Sequence, residues 1–305
     1  MTKKIIIGVV LITIVLSTVA CTYELRGSDG YIMWTNEVRH QSLDGLHPIE
    51  ENGLWGFICI ATREKIIEPQ FSWARSFSEG LAFVRGVEGR EYQTGYIDLE
   101  GNLVIPLPMI YQGFFFSEGL AFVIGVDERD DLNGYIDLTG DLVIPLSGIQ
   151  SGDSFSEGLA FVRGIDGRED LTGYIDIMGN LVIPLPTVIA ARPFSHGFAL
   201  IIEREWNDNE PELAIGVPGP YIFIDGTGQN AFGREFGSAG IFIDGLAVVS
   251  LRNGNMMYMN TSGRNAFRRE FQSASAFIGD YANVTLLNGS PARINRSGRV
   301  VSRAW

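Results

Sequence analysis

The residues best able to do chemistry in this chain are carboxylates that return at a fixed interval. Glu79, Glu118 and Glu157 sit in three copies of Phe-Ser-Glu-Gly-Leu-Ala, each 39 residues after the last, and Asp98, Asp137 and Asp176 sit in three copies of Gly-Tyr-Ile-Asp with the same spacing. A catalytic carboxylate needs an acid or base partner at fixed reach. The glutamate position is instead filled by Asp44 in the first copy and by His196, Asp244 and Gly279 in later ones, and such variants of one position cannot all be one active site. The expectation is a structural turn or cap at Glu79, Glu118 and Glu157, bonding nearby backbone N–H groups. The aspartates, joined by Asp225, could form a ladder of oxygen ligands for a cation. The simpler reading is that each opens an Asx-type turn before a glycine, and Asp98, Asp137 and Asp176 are assigned to structural turns.

Other catalytic constellations are missing. His40, His47 and His196 are scattered, and the sequence has no G-x-S-x-G elbow, phosphate-binding loop or dinucleotide fingerprint. The stretch from Asp127 to Leu138 faintly suggests a calcium loop, but Arg129 stands where the first ligand belongs and Gly140 where the bidentate glutamate belongs. No catalytic residue, metal site or cofactor is therefore assigned. An envelope enzyme of glycosidase type is the minority reading, and it would need two carboxylates facing one cleft where the copies diverge, around 203–240.

The elements that carry these residues follow from the period. Gly45, Gly80, Gly119, Gly158, Gly197 and Gly245, with Asp280 in the last place, mark seven units at intervals of 35, 39, 39, 39, 48 and 35. Within a unit, Gly-Leu-Ala-Phe-Val and Gly-Tyr-Ile-Asp have strand length and β-branched or aromatic content, and Leu-Val-Ile-Pro makes a third short strand closed by proline. The fold class expected is all-β: a tandem array of about seven three-stranded antiparallel β-meander repeats in an open twisted stack, with a closed propeller-like ring as the alternative. Units start near 43, 77, 116, 155, 194, 242 and 277, within a repeat domain spanning 43–305.

Two further rules emerge. The extra residues of the longer units fall between the Leu-Ala-Phe-Val and Gly-Tyr-Ile strands, which places surface loops there. A small residue also precedes each recurring phenylalanine by three places (Ala74, Gly113, Gly152, Ala191, Ala239, Ala274), as close approach of neighbouring units would demand. Enlarging Ala74 or Ala239 should cost about 1–3 kcal/mol through overpacking. The phenylalanines Phe77, Phe116, Phe155, Phe194, Phe242 and Phe277 and the tyrosines Tyr96, Tyr135 and Tyr174 occupy the most regular positions, which reads as core and not as a stacking strip for ligands.

The longest insertion, from Glu203 to Pro220, breaks the period. It holds Trp206 among acids, so Glu203, Glu205, Trp206, Asp208 and Glu210 form the candidate partner-binding loop. With 46% hydrophobic and 19% charged residues the chain can bury a core, while a formal charge of -13 argues against nucleic acid as a partner. At the N-terminus two lysines precede a sixteen-residue, mostly apolar run, which reads as a secretory signal over 1–20 followed by a tether over 21–42. Cys21 resembles the lipid-attachment cysteine of bacterial lipoproteins, although Thr18 stands where that pattern has leucine. Cleavage there would leave Cys59 as a lone, buried, apolar residue.

With Gly-Leu-Trp-Gly-Phe-Ile at 53–58, Ile-Glu-Pro-Gln-Phe at 67–71 and the copies above in view, the chain resembles the bacterial WG-repeat (KWG-repeat) family over residues 43–301. Trp55 alone keeps the tryptophan; Thr94, Asn133 and Thr172 take its place in the central copies. The resemblance implies a β-rich array in an envelope protein that mediates interactions. The function expected is a noncatalytic, envelope-tethered scaffold for an unknown protein or polysaccharide, touching the membrane only through its lipid anchor. A cation-stabilised structural module is the alternative.

Overall fold

The computed structural model describes residues 45–126, 130–204 and 218–303. These residues form seven antiparallel sheets in chain order. The first holds β1 (Leu46–Glu51), β2 (Leu54–Cys59) and β3 (Lys65–Phe71); the second β4 (Trp73–Ala74), β5 (Ala82–Arg85), β6 (Gly95–Ile97) and β7 (Leu103–Pro106). The third holds β8 (Ile110–Gly113), β9 (Ala121–Gly125), β10 (Gly134–Ile136) and β11 (Leu142–Pro145); the fourth β12 (Ile149–Gly152), β13 (Leu159–Gly164), β14 (Gly173–Asp176) and β15 (Leu181–Pro184). The fifth holds β16 (Val188–Ala191), β17 (Phe198–Arg204) and β18 (Pro218–Asp225), and the sixth β19 (Leu246–Ser250) and β20 (Met256–Asn260). The seventh holds β21 (Ser273–Ala274), β22 (Tyr281–Thr285), β23 (Pro291–Asn295) and β24 (Val300–Arg303).

The chain is therefore all-β and repetitive, as the period requires. The expected three-stranded meander is present in the first, second, third, fourth and seventh sheets, and the last four of these add a further strand; the fifth pairs its equivalent, β16, with only two meander strands, and the sixth keeps two strands. The added strand is the segment with the small-residue rule: β4, β8, β12 and β21 each pair with the strand that follows the Ser-Glu-Gly-Leu turn. The sequence reading took this segment for a connection because it is short and mixed in composition. Its backbone groups nonetheless need partners, and the neighbouring strand edge supplies them.

The sheets do not have cores of their own. Each of the six hydrophobic clusters lies between consecutive sheets; Phe83, Tyr96 and Ile105 of the second sheet, for example, pack with Ile110, Phe116, Ala121, Val123 and Ile136 of the third. This explains why Ala82, Phe83 and Val84 are buried in unbroken succession: side chains alternate faces along a strand, and both faces are covered. The small residues are required by the same packing. A Cβ on Gly113 would lie 2.3 Å from a Phe83 ring carbon and 2.6 Å from the Tyr96 hydroxyl, and one on Gly152 would lie 2.7 Å from each of the Phe122 and Tyr135 equivalents.

The stack is open. In β22 and β23 burial alternates, with Ala282, Val284, Ala292 and Ile294 facing the sixth sheet and Tyr281, Asn283, Pro291 and Arg293 exposed on the other side. A sheet with an exposed outer face ends an array whose inner members are covered twice.

Candidate functional site

The recurring glutamates are joints between units. Ser78 and Leu81 bridge across a two-residue turn in which Glu79 (φ 53°) and Gly80 (φ 78°) are both left-handed, and Glu118, Glu157, His196 and Asp244 repeat this conformation. Such a turn matches the twist of a tight hairpin. Its two successive N–H groups point the same way and make a small anion-binding nest. The nests of the third, fourth and fifth units are each filled by the carboxylate of the unit before. The N–H groups of Glu118 and Gly119 donate to Glu79 at 2.8 and 3.0 Å, that of Gly158 to Glu118 at 2.9 Å, and those of His196 and Gly197 to Glu157 at 2.6 and 2.8 Å. The expected structural role is present, but the bonds reach a turn about 40 residues on and not the local backbone.

Two more rungs accompany the carboxylate at each joint. Ser78, Ser117, Ser156 and Ser195 donate their hydroxyls to the carbonyls of Phe116, Phe155, Phe194 and Phe242 at 2.7–2.9 Å. Tyr96, Tyr135, Tyr174 and Tyr258 donate theirs to the carbonyls of Phe114, Asp153, Arg192 and Ser275 at 2.6–2.7 Å. Burial pushes all four phenols well above the ordinary tyrosine value, so they stay protonated donors. The phenylalanine ladder is core, with Phe77, Phe116 and Phe155 at most 1% exposed.

The aspartates hold turns. Asp98 accepts the N–H groups of Glu100 and Asn102; Asp137, Asp176 and Asp225 do the same two and four residues on, and Asn260 and Asn295 take their place in the last two units. Side-chain hydrogen bonds from Thr139, Asn180 and Thr227, with backbone N–H groups beside them, hold Asp137, Asp176 and Asp225 below the usual carboxylate range. Among the described residues no cluster of three or more metal-ligating side chains occurs. Thr94, Asn133 and Thr172, at the lost tryptophan position, are buried and accept the N–H groups of Gly86, Gly125 and Gly164, closing the loops inserted in those units.

The irregular residues gather elsewhere. One place after the small residue of each unit, the side chain changes character along the chain: Arg75, Phe114, Asp153, Arg192, Gly240 and Ser275. Several of these residues and their neighbours line one cavity of about 560 Å³, to which the third to seventh sheets all contribute. Its wall is largely apolar, including Phe114, Phe115, Ile241, Val248 and Phe277, and it holds one acid, Asp153, and one base, Arg192. Burial pushes the Asp153 carboxyl up, against the opposing pull of Arg192 and Arg163. Arg75 lies 4.6 Å from the Phe114 ring centre and 5.4 Å from that of Phe115, capping this aromatic wall. Sequence reasoning missed this site. Its one signal was an irregular residue type directly after the invariantly small position.

Of the loop candidates, Glu203 is described and lies next to last in β17, opposite Val188, where the hairpin of β17 and β18 is longer than its counterparts. Glu205, Trp206, Asp208 and Glu210 lie outside the described residues, as does Cys21. Cys59 is 1% exposed and packs in the core cluster between the first and second sheets.

No curated protein matches the chain. Solved structures similar to it include BamB from Moraxella catarrhalis (14% identity, 85% of this chain and 87% of that one, TM-score 0.41). A eukaryotic initiation factor (12%, 85% and 72%, 0.43) and the WD40 β-propeller domain of Doa1 (12%, 76% and 77%, 0.31) are others. Likeness at this level bears on neither the architecture nor the function. The model of the WG containing repeat matches residues 55–89, 95–124, 134–168 and 173–203. The four matched segments run from the first sheet through the fifth, and the sheets over 218–303 continue the same stack.

Proposed function

We propose that this chain is a noncatalytic β-repeat scaffold, exported and held at the bacterial cell envelope, whose non-repeating surfaces bind a protein or polysaccharide partner. The observation that carries the reading is the use made of the repeated carboxylates. Glu79, Glu118, Glu157, Asp98, Asp137, Asp176 and Asp225 are each committed to backbone N–H groups, which holds turns and joints together and leaves the irregular positions to vary. The insertion 203–220 breaks the period between β17 and β18 of this scaffold, and inserted loops on rigid frames are where binding residues concentrate.

The envelope address rests on the N-terminal charge and hydropathy pattern and on Cys21. Metabolic labelling with a fatty-acid analogue, comparing wild type with Cys21→Ser, should give label that depends on Cys21. Crosslinking in the same cells should give a neighbour that is lost on deleting 203–220. Absence of label would overturn the address; a neighbour unaffected by the deletion would overturn the role of the loop.

A further inference from the structure

The cavity shared by the third to seventh sheets joins features found nowhere else among the described residues. The repeated glutamates and the turn aspartates are engaged by backbone N–H groups. Asp153 and Arg192, on adjacent units at equivalent positions, feel one another's charge, yet among the described residues neither side chain makes a hydrogen bond or ion pair. Both line the same cavity, whose wall is otherwise largely apolar and includes Ser154. Their backbone carbonyls are held by Tyr135 and Tyr174, so the two charges are presented from a fixed frame. A mostly apolar cavity of about 560 Å³ with a few convergent polar groups has the size and make-up of a small-molecule site.

We propose that this cavity binds a small zwitterion with an apolar side chain, a free amino acid or dipeptide, its ammonium on Asp153 and its carboxylate on Arg192. The opposite charges of the site match the two ends of such a ligand, and a guanidinium grips a carboxylate through two parallel N–H donors. The side chain is received by Phe114, Phe115, Ile241 and Phe277. A ligand with a single charge would pair with only one of the two protein charges and forgo the charge-assisted hydrogen bonds to the other. The inference stands on the cavity and is independent of the envelope address.

Calorimetry on the full-length chain tests it with L-phenylalanine and L-leucyl-L-phenylalanine as probes. Phenethylamine and 3-phenylpropionate each lack one charge and serve as controls. Saturable binding of at least one zwitterion is expected, with both single-charge analogues weaker by about tenfold or more. Asp153→Asn and Arg192→Met should each weaken the zwitterion by a similar factor while the variants melt as folded proteins. Failure of both zwitterions to saturate, or equal binding of zwitterions and analogues, would overturn the proposal. The analogue series uses wild-type protein alone, so it decides the matter even if a variant does not fold.

Discussion

A glutamate held at positive φ is an unfavourable choice, because the left-handed region crowds any side chain with a Cβ. Here the residue is retained where its carboxylate reaches two N–H groups of the next unit, and those charge-assisted bonds offset the strain. Asparagine would suit the turn itself better, but its side chain is shorter. The aspartates illustrate the complementary case, since Asn260 and Asn295 replace them without loss of the turn. This gives a prediction with a definite sign. A carboxyl whose folded value is depressed contributes stability that is present above the ordinary carboxylate pKa and lost as pH falls through the folded value. Asp176→Asn should therefore lower the melting temperature at neutral pH, and the deficit should shrink as acidification carries the carboxyl below the ordinary aspartate range and protonates it. A deficit unchanged by pH would mean the aspartate acts by shape and not by charge.

At the scale of elements, the joint is the unit of construction, and its three rungs can be compared along the chain. Between the fifth and sixth units the serine rung survives, Ser195 to Phe242 at 2.9 Å, while the carboxylate rung is replaced by His196, whose Nδ1 lies 3.0 Å from the Ser195 hydroxyl. Asp244 in turn pairs with Arg296 at 2.6 Å. This joint adjoins the longest insertion. His196→Glu should restore the missing rung to the N–H groups of Asp244 and Gly245, raising stability by about 0.5–1 kcal/mol in chemical denaturation. A neutral or destabilising result would show that the sixth turn no longer presents its nest. Much of this scale was legible in the sequence, because period, strand composition and the small-residue rule are local patterns repeated in phase. The fourth strand was not, since Ile110–Gly113 and its equivalents have too few residues to show alternation. The reach of Glu79 to the following turn was not either, because a contact 39 residues away leaves no local trace. The cavity was least legible of all: its residues are united only by the curvature of the stack.

At the scale of the molecule, stability is a sum over joints, since every hydrophobic cluster spans two neighbouring sheets. The exposed outer face of the last sheet ends the sum, and the resulting array can vary its loops and inner wall without disturbing the rungs that hold it. The central claim is that each recurring glutamate belongs to the joint ahead of it and not to its own turn or to an active site. Amide hydrogen exchange, read residue by residue in wild type and Glu118→Gln, tests this directly. The account predicts that protection falls at Gly158, about 40 residues downstream, while Gly119 beside the substitution keeps the protection that Glu79 gives it. Loss of protection at Gly119 with Gly158 unchanged would contradict it, and would return the glutamate to a local role.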